Sequence, residues 1–518
     1  MEQNYVVYHL HDDKGSLLDS CTKWEDYVDL AASYGMKAIA STNHGYNLNW
    51  TEKKQYAEKK GLKFIVGCEV YLTSEIYHYP EIPDEVYESY QGWDPQEAQE
   101  EIGKMMDAER YKVRDNFHTI LLCKNARGVL ELNKVMGTSY DADHKYYKPR
   151  ITFEEFFGLS DNIIKISACL ASPLRKYTSE CDGFRQEVYD KLCETYDYYE
   201  IQYHDCDDQK EYNQYLWELS KKYHKPLIAA TDTHSLNAYK AECRKILMMG
   251  KGIEFTGEDE FDLTFKSYNE LVDAFTVQDA LPREVWMEAI ENTNRMADSV
   301  TDFTLSTKAR YPILTGTSES DAKVYIKRTH DMLNDKIRRG IIPEFEVAQF
   351  KADVEEELTV FKKTNMLGFM LSMSDLMIWG KNEGIPFGPS RGSVAGSRCA
   401  FVTDIIDVDP ARWNLVFSRF CNENRVEIGD IDIDVPDAYR PMIYNHIFES
   451  FGREKCAYVL AMGTLAGKAT IDEIGRALAK VWKRENPDAD ESKNPYSLDR
   501  IAKVKKEYDA SAEKCRAD

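Results

Sequence analysis

The chain has 518 residues, a hydrophobic fraction of 43% and a formal net charge of −23. That length calls for more than one core, since single cores stop growing at roughly 250–300 residues. Its twelve cysteines are scattered and form no CxxC pair, which argues against a zinc ribbon or thioredoxin-like motif and suits a reducing compartment. The start, Met1-Glu2-Gln3-Asn4, lacks the basic and apolar regions of a signal peptide. The most apolar run, near 367–380, is broken by Ser372, Ser374 and Asp375 and is too polar to span a bilayer. A cytoplasmic protein is expected. A uniformly acidic surface would repel nucleic acid, but charge is local. Residues 80–115 concentrate Glu and Asp, whereas Lys480, Lys483, Arg484, Lys503, Lys505 and Lys506 make the C-terminal part more basic.

Over residues 1–240, short apolar runs at 5–9, 38–42, 64–72, 119–123, 163–167 and 227–231 read as strands. Amphipathic segments such as 24–34 and 187–199 separate them. Strands alternating with helices predict a largely parallel sheet or barrel. Residues 80–116 interrupt the rhythm as a polar helical insertion. From about 260 to 385 the pattern is helical, with runs at 283–297, 321–338 and 352–364. A Gly-rich loop, a helix at 396–403 and a carboxylate-bearing strand follow. The tail, 464–518, reads as helix, a break near 486–495, and helix again.

Nine of the eleven histidines precede residue 235. His9 and His11 flank Leu10, so on an extended backbone they face the same way, and Asp232 and His234 repeat that spacing. His44, Glu69, His118 and Cys169 also lie in or at the ends of expected strands. In a barrel those ends converge on one mouth. Imidazoles, carboxylates and a thiolate suit zinc or manganese, and clustered ions activate water for phosphoester hydrolysis. One HxH pair alone is weak, and a lone cysteine is more often a small buried hydrophobe. The weight lies in how many candidates are placed alike.

These segments resemble the PHP (polymerase and histidinol phosphatase) domain. The resemblance runs through His9-Leu10-His11, Leu17-Leu18-Asp19, Ser41-Thr42-Asn43-His44-Gly45, Gly67-Cys68-Glu69-Val70-Tyr71, Phe117-His118, Ser167-Ala168-Cys169-Leu170 and Ala230-Thr231-Asp232-Thr233-His234. It implies nine metal-binding positions: His9, His11, Asp19, His44, Glu69, His118, Cys169, Asp232 and His234. All nine can bind metal. Asn43 stands where the family usually has Asp, and an effect on the groups behind the ligands is expected. The retained set implies Zn²⁺ or Mn²⁺ binding, with 3′–5′ exonucleolytic proofreading as a further expectation.

Downstream, Gly388, Gly392 and Gly396 with Ser393 and Ser397 let backbone approach phosphate oxygens, and Arg391 adds a cationic fork. No Gly-Lys-Ser/Thr follows, so this is not a Walker loop, and it is not a Rossmann fingerprint. Asp430, Asp432 and Asp434 alternate with Ile431 and Ile433, which on a strand places the aspartates on one face. Such a crowded row usually needs a cation, and two-metal phosphoryl transfer is its natural use. A solvated acidic edge is the bland alternative, which the upstream Gly-rich loop disfavours.

Residues 350–475 resemble the palm of C-family replicative DNA polymerases, the DNA polymerase III alpha family, whose members also begin with a PHP domain. The resemblance rests on Glu355-Glu356-Glu357-Leu358, the stretch Gly384-Ile385-Pro386-Phe387-Gly388-Pro389-Ser390-Arg391-Gly392-Ser393, Asp407-Val408-Asp409-Pro410, Phe417-Ser418-Arg419-Phe420, Asn424-Arg425-Val426, Asp430-Ile431-Asp432-Ile433-Asp434 and Gly463-Thr464-Leu465-Ala466-Gly467-Lys468-Ala469. It implies that Asp432 and Asp434 are catalytic and use Mg²⁺, and that Arg391, Gly392 and Ser393 bind the dNTP triphosphate. Primer–template DNA is the implied partner. Ser390, Gly429 and Val435-Pro436 depart from the family pattern, as in a divergent, for instance viral, member. The family's third carboxylate and its fingers lie beyond the matched region, so a second polypeptide is expected to complete the enzyme.

The expected fold is therefore α/β and multidomain. A PHP metal-binding domain of distorted β/α-barrel form takes residues 1–255, with the acidic insertion at about 80–116. A polymerase-beta-like nucleotidyltransferase palm takes 256–463, and a partial helical thumb 464–518. The expected function is DNA-directed DNA polymerisation. The alternatives are a stand-alone metal-dependent phosphoesterase or 3′–5′ exonuclease with a relic palm, and a non-catalytic scaffold.

Overall fold

The computed structural model describes residues 4–16, 19–79, 84–181, 183–253, 261–304, 306, 311–422, 430–459, 461, 463 and 467–517. Leu17, Leu18, Asn424, Arg425, Val426, Gly429 and 464–466, all named above, lie outside them. The chain forms two compact units, residues 1–305 with 464–518, and residues 306–463.

Among the described residues the first unit has nine strands: β1 (Ala38–Ser41), β2 (Lys63–Thr73), β3 (Tyr77–His78), β4 (Tyr111–Lys112), β5 (Phe117–Cys123), β6 (Arg150–Thr152), β7 (Ile163–Ile166), β8 (Tyr199–Gln202) and β9 (Leu227–Ala230). The main sheet runs β1-β2-β5-β7, with β6 beside β2, and β8 pairs with β9. β1 and β2 are parallel, as are β8 and β9, but β5 is antiparallel to both β2 and β7. The sheet is therefore mixed, not largely parallel. The physical reason is the excursion 74–116. It returns the chain beside the end of β2, Leu72 opposite Phe117, and an antiparallel return needs no crossover helix. Residues 5–10 form bridges rather than a full strand: Val7 pairs with Ile39 and Leu10 with Thr233, both parallel. Ile166 bridges to Tyr198 in the same sense.

β1, β2, β5, β7, β8 and β9 are buried on both faces, so they read as largely continuous apolar runs. Trp24, Tyr27, Val28 and Ala31 of helix Trp24–Ser33 are buried in one apolar cluster with Leu62 and Phe64, Trp24 edge-on to Phe64, each large side chain worth roughly 1.5–3 kcal/mol of burial. The segment read as helix over 187–199 divides. The helix spans Gln186–Thr195, and the buried Tyr199 and Ile201 open β8. The insertion carries helices Asp84–Ser89 and Pro95–Glu109, and no residue of the latter is buried. β3 and β4 pair across its base, Tyr77 opposite Lys112. Helix Gly467–Glu485 packs on helix Ala238–Lys251: Lys251 Nζ lies 3.0 Å from Glu473 Oε1, and Lys480 donates to the Met249 carbonyl at 2.8 Å.

The second unit packs helices Ser318–Arg338, Val347–Lys363, Leu367–Asn382 and Arg398–Val402 around Phe350, Phe361, Met370, Leu371 and Phe420. Thr317 starts the first with a capping box that includes Ser320. The Gly-rich loop connects the third helix to the fourth. Residues 430–436 carry no regular secondary structure and join no sheet; the expected strand is not formed among the described residues. The alternation survives: Asp430, Asp432 and Asp434 are exposed, while Ile431 and Ile433 are half-buried and Ile431 packs on the core.

Candidate metal centre and nucleotide site

All nine residues of the first constellation meet in the first unit. His9 and His11 flank the buried Leu10, and their backbone is fixed by exchange with Thr233: His11 N–H to Thr233 O is 2.8 Å, and Thr233 N–H to His9 O is 3.0 Å. That places Asp232 Oδ1 at 3.1 Å from His9 Nε2 and 3.4 Å from His11 Nε2. Asp232 sits at φ 42°, a left-handed conformation held by its neighbours. Glu69, fully buried in β2, stands between imidazoles. His118 Nδ1 is 2.6 Å from its Oε1, and His44 Nδ1 contacts its Oε2. Asp19 Oδ2 lies 3.0 Å from His44 Nε2 and 3.2 Å from His234 Nε2. Cys169 Sγ is 3.8 Å from His118 Nδ1.

Three overlapping groups each bring donor atoms within 4.8 Å of one another: His11, His44 and His234; His9, His11 and Asp232; and His44, Glu69 and His118. Five of these atoms are buried and, among the described residues, find no hydrogen-bond partner outside the cluster, where they face one another: His9 Nε2, His11 Nε2, His44 Nδ1, Glu69 Oε2 and Asp232 Oδ1. Buried polar atoms normally have partners. Five orphans aimed at one another, with nitrogen and oxygen donors, fit metal ions.

Hydrogen bonds behind the ligands fix which ring nitrogen faces the cluster. Glu200 is buried, and its carboxylate accepts from His9 Nδ1–H at 2.8 Å, so Nε2 is free to coordinate. Asn43 Oδ1 accepts from the Asp12 N–H at 2.8 Å and from the Ser16 hydroxyl at 3.0 Å. Ser16 Oγ, its proton spent, accepts from His11 Nδ1–H at 2.9 Å. Asn43 thus sets the tautomer of His11 through Ser16. His234 Nδ1–H donates to the Asp232 carbonyl at 2.9 Å.

Charge follows this crowding. Burial opposes a charged His9, but Asp232, Glu200 and Glu69 outweigh it and raise the ring to about 10. Burial, with His44 and His234 alongside, pushes His11 well below its ordinary value. Burial also works against ionised Asp19 and Glu69, yet His44 with His234, and His118 with His44, hold them well below the usual carboxylate range. Burial, Asp232 and Glu69 raise the Cys169 thiol. A cavity of about 930 Å³ opens over the cluster, walled by Tyr71, Tyr147 and Phe261 and by the cations Lys148 and Arg244.

In the second unit, the Gly-rich loop and the aspartate row touch. The Gly388 N–H donates to the Asp434 carbonyl at 2.9 Å. Arg391 lies between two carboxylates, Nη1 at 2.9 Å from Asp434 Oδ1 and Nε at 3.6 Å from Asp432 Oδ2. Gly392 adopts φ 77°, and a Cβ there would meet Asp432 Oδ2 at 3.3 Å. Ser393 begins a tight turn, Ser393–Gly396, and Ser397 caps the next helix through the Ala400 N–H. The buried Glu357 accepts from the Ser397 hydroxyl at 2.7 Å and from the N–H groups of Arg398 and Cys399 at 2.8 and 2.9 Å. It anchors the loop from below. The three metal-type groups among the described residues all belong to the first unit; Asp430, exposed, joins no such group with Asp432 and Asp434.

Glu200, Ser16 and Glu357 act here without having been singled out by residue pattern. A signal existed for Glu200: Glu200 and Gln202 alternate with buried Tyr199 and Ile201, polar residues at period 2 inside an apolar run.

Residues 8–204 match the model of the PHP domain. Residues 325–515 match that of the bacterial DNA polymerase III alpha NTPase domain. The chain is similar to DNA polymerase III subunit alpha of Borreliella burgdorferi, 29% identical over 490 residues, covering 92% of this chain and 39% of that protein. It is also similar to the subunits of Aquifex aeolicus, 28% identical over 501 residues (92% and 40%), and Treponema pallidum, 27% over 485 residues (92% and 38%). The chain thus spans about 40% of the length of these relatives.

Proposed function

Because this chain belongs to the DNA polymerase III alpha family, we propose that it serves template-directed DNA synthesis in replication, as a DNA-directed DNA polymerase of the nucleotidyltransferase class. Residues 256–463 are read as its palm, of polymerase-beta-like form. The C-terminal helices are thumb-like, and residues 1–255 form the PHP domain. The circuit of pairings from Val7 through β1, β2, β5, β7, β8 and β9 back to Leu10 supports a distorted β/α barrel for that domain. A third carboxylate comes from polypeptide beyond these residues, on the same chain or a second one. No described helix is long and apolar enough to cross a membrane, and a cytoplasmic location fits a replicative polymerase.

One observation carries the reading: the phosphate-type loop is seated on the aspartate row, with Arg391 bridging Asp432 and Asp434. Asp432 and Asp434 would hold Mg²⁺, which supplies charge neutralisation for the triphosphate and the attacking hydroxyl. Gly392 brings backbone N–H groups close to phosphate, and Arg391 pairs with the triphosphate once the aspartates have a cation. The test is the affinity of this chain for a dNTP in the presence of Mg²⁺. Arg391→Ala and Asp432→Asn should each weaken it about tenfold or more, the worth of one charged contact; unchanged affinity in both sinks the assignment.

A second activity, phosphoester hydrolysis of a DNA 3′ end, is favoured by the five orphaned buried ligand atoms. The nine residues His9, His11, Asp19, His44, Glu69, His118, Cys169, Asp232 and His234 would hold Zn²⁺ or Mn²⁺. Bound ions would supply an activated water. Shortening of a 5′-labelled oligonucleotide in Mn²⁺ should vanish in the His9→Ala, His11→Ala double variant; full activity there excludes the reading.

A further inference from the structure

Beyond the nine-residue set, further polar side chains line the cavity over the metal centre, among them His204. His204 lies just past β8, two residues beyond Gln202 and four beyond Glu200. On extended backbone these three share a face. Glu200 grips His9, the Gln202 amide donates to Glu200 at 2.8 Å, and His204 reaches the cavity wall beside Asp232 and His234. The residue is 3% exposed, and neither ring nitrogen has a hydrogen-bond partner among the described residues.

Its position is fixed. Gln278 donates to the carbonyls of His204 and Gln202 at 2.7 and 2.9 Å. Phe261 packs edge-on against the ring with centroids 4.8 Å apart, and the Tyr203 ring lies at 4.8 Å. A rigidly held, buried imidazole with both nitrogens unspent is unusual. Metal coordination does not account for it, because His204 joins none of the three donor groups. In either tautomer a neutral imidazole offers one N–H. Lys148 and Arg244 share the cavity wall with Asp19, Glu69 and Asp232, so an anion is favoured there once bound cations offset the carboxylates.

We propose that His204 is a substrate-contacting residue whose ring N–H donates to a non-bridging oxygen of a phosphoester, or of free phosphate, bound over the metal centre. This rests on the hydrolytic reading of that centre and adds to it an anion contact that is not a metal ligand.

The test uses the full chain loaded with Mn²⁺, with inorganic phosphate as the probe, in wild type, His204→Phe and His204→Gln. His204→Phe keeps a ring and removes both nitrogens, and His204→Leu replaces it if the larger ring prevents folding. His204→Gln restores a side-chain N–H. Metal stoichiometry is read by elemental analysis and phosphate affinity by calorimetry. Equal metal content in all variants is expected, with the phosphate Kd raised about tenfold in His204→Phe and restored to within about threefold in His204→Gln, the scale of one hydrogen bond to a charged group. Unchanged phosphate affinity in His204→Phe, or loss of metal there, overturns the inference. A wild-type chain that holds no metal overturns the hydrolytic reading itself, so the two failures are told apart.

Discussion

The Nδ1–H of His9 donates to Glu200 across 2.8 Å, with both side chains buried, and this one contact decides that His9 faces the cluster through Nε2. Tyr8 also donates to Glu200, at 3.0 Å. Glu200→Gln keeps the shape but removes the charge behind His9. Metal affinity should fall about 10- to 100-fold, the usual cost of losing such a partner. Competition with a chromogenic chelator measures it, and an unchanged Kd would show that His9 does not depend on Glu200.

Metal should also act on stability. The orphaned donors are in place before any ion arrives, so an ion that binds only the folded chain stabilises it by about 2.7 kcal/mol at a hundredfold excess over Kd. Zn²⁺ or Mn²⁺ should raise the melting temperature, and chelation should reverse the rise. His11→Ala should abolish it, since His11 belongs to two of the three donor groups.

The second unit responds to pH through Glu357. Burial lifts this carboxyl from an ordinary 4.5 to about 7, only partly offset by the N–H groups of Cys399 and Arg398 and the Ser397 hydroxyl. Between those two values the folded chain keeps a proton that the unfolded chain has released. Stability therefore falls as pH rises from about 4.5 to about 7, by about 3 kcal/mol at most, and then levels off. Urea unfolding across that range should show the slope in wild type and a flatter profile in Glu357→Gln.

Gly396 is a packing constraint. A Cβ there would meet the Val416 carbonyl oxygen at 2.6 Å, and backbone cannot swing aside as a flexible side chain does. Gly396→Ala should destabilise the unit by about 1–3 kcal/mol. By contrast, a Cβ at Gly463 would meet nothing within 4 Å among the described residues, and Gly463→Ala should lie within about 0.5 kcal/mol of wild type. Denaturant midpoints compare the two.

Much of the metal centre was legible because strand geometry is short-range. His9 and His11 flank Leu10 and were read together by period alone, whereas Asp232, at φ 42°, departs from the extended backbone on which its pairing with His234 was read. The alternation of aspartate and isoleucine at 430–434 was legible for the same reason, but the absence of a ladder was not, because pairing depends on what the rest of the chain brings alongside. Pairing direction failed similarly: nothing within 117–123 says that it runs against β2. Glu200 was hidden because the polar, helix-like stretch before it ran on into β8 without a Gly or Pro to mark the change. Glu357 was one of three consecutive glutamates, and only the fold shows which one is buried.

β3 and β4 clamp the two ends of the excursion 74–116 together, and no side chain of helix Pro95–Glu109 is buried. The entropy of such a loop grows only with the logarithm of its length. This segment can therefore lengthen, shorten or change its charge over evolutionary time without disturbing the strands beneath it. For the same reason it is the natural attachment point for a fluorescent reporter or an affinity handle.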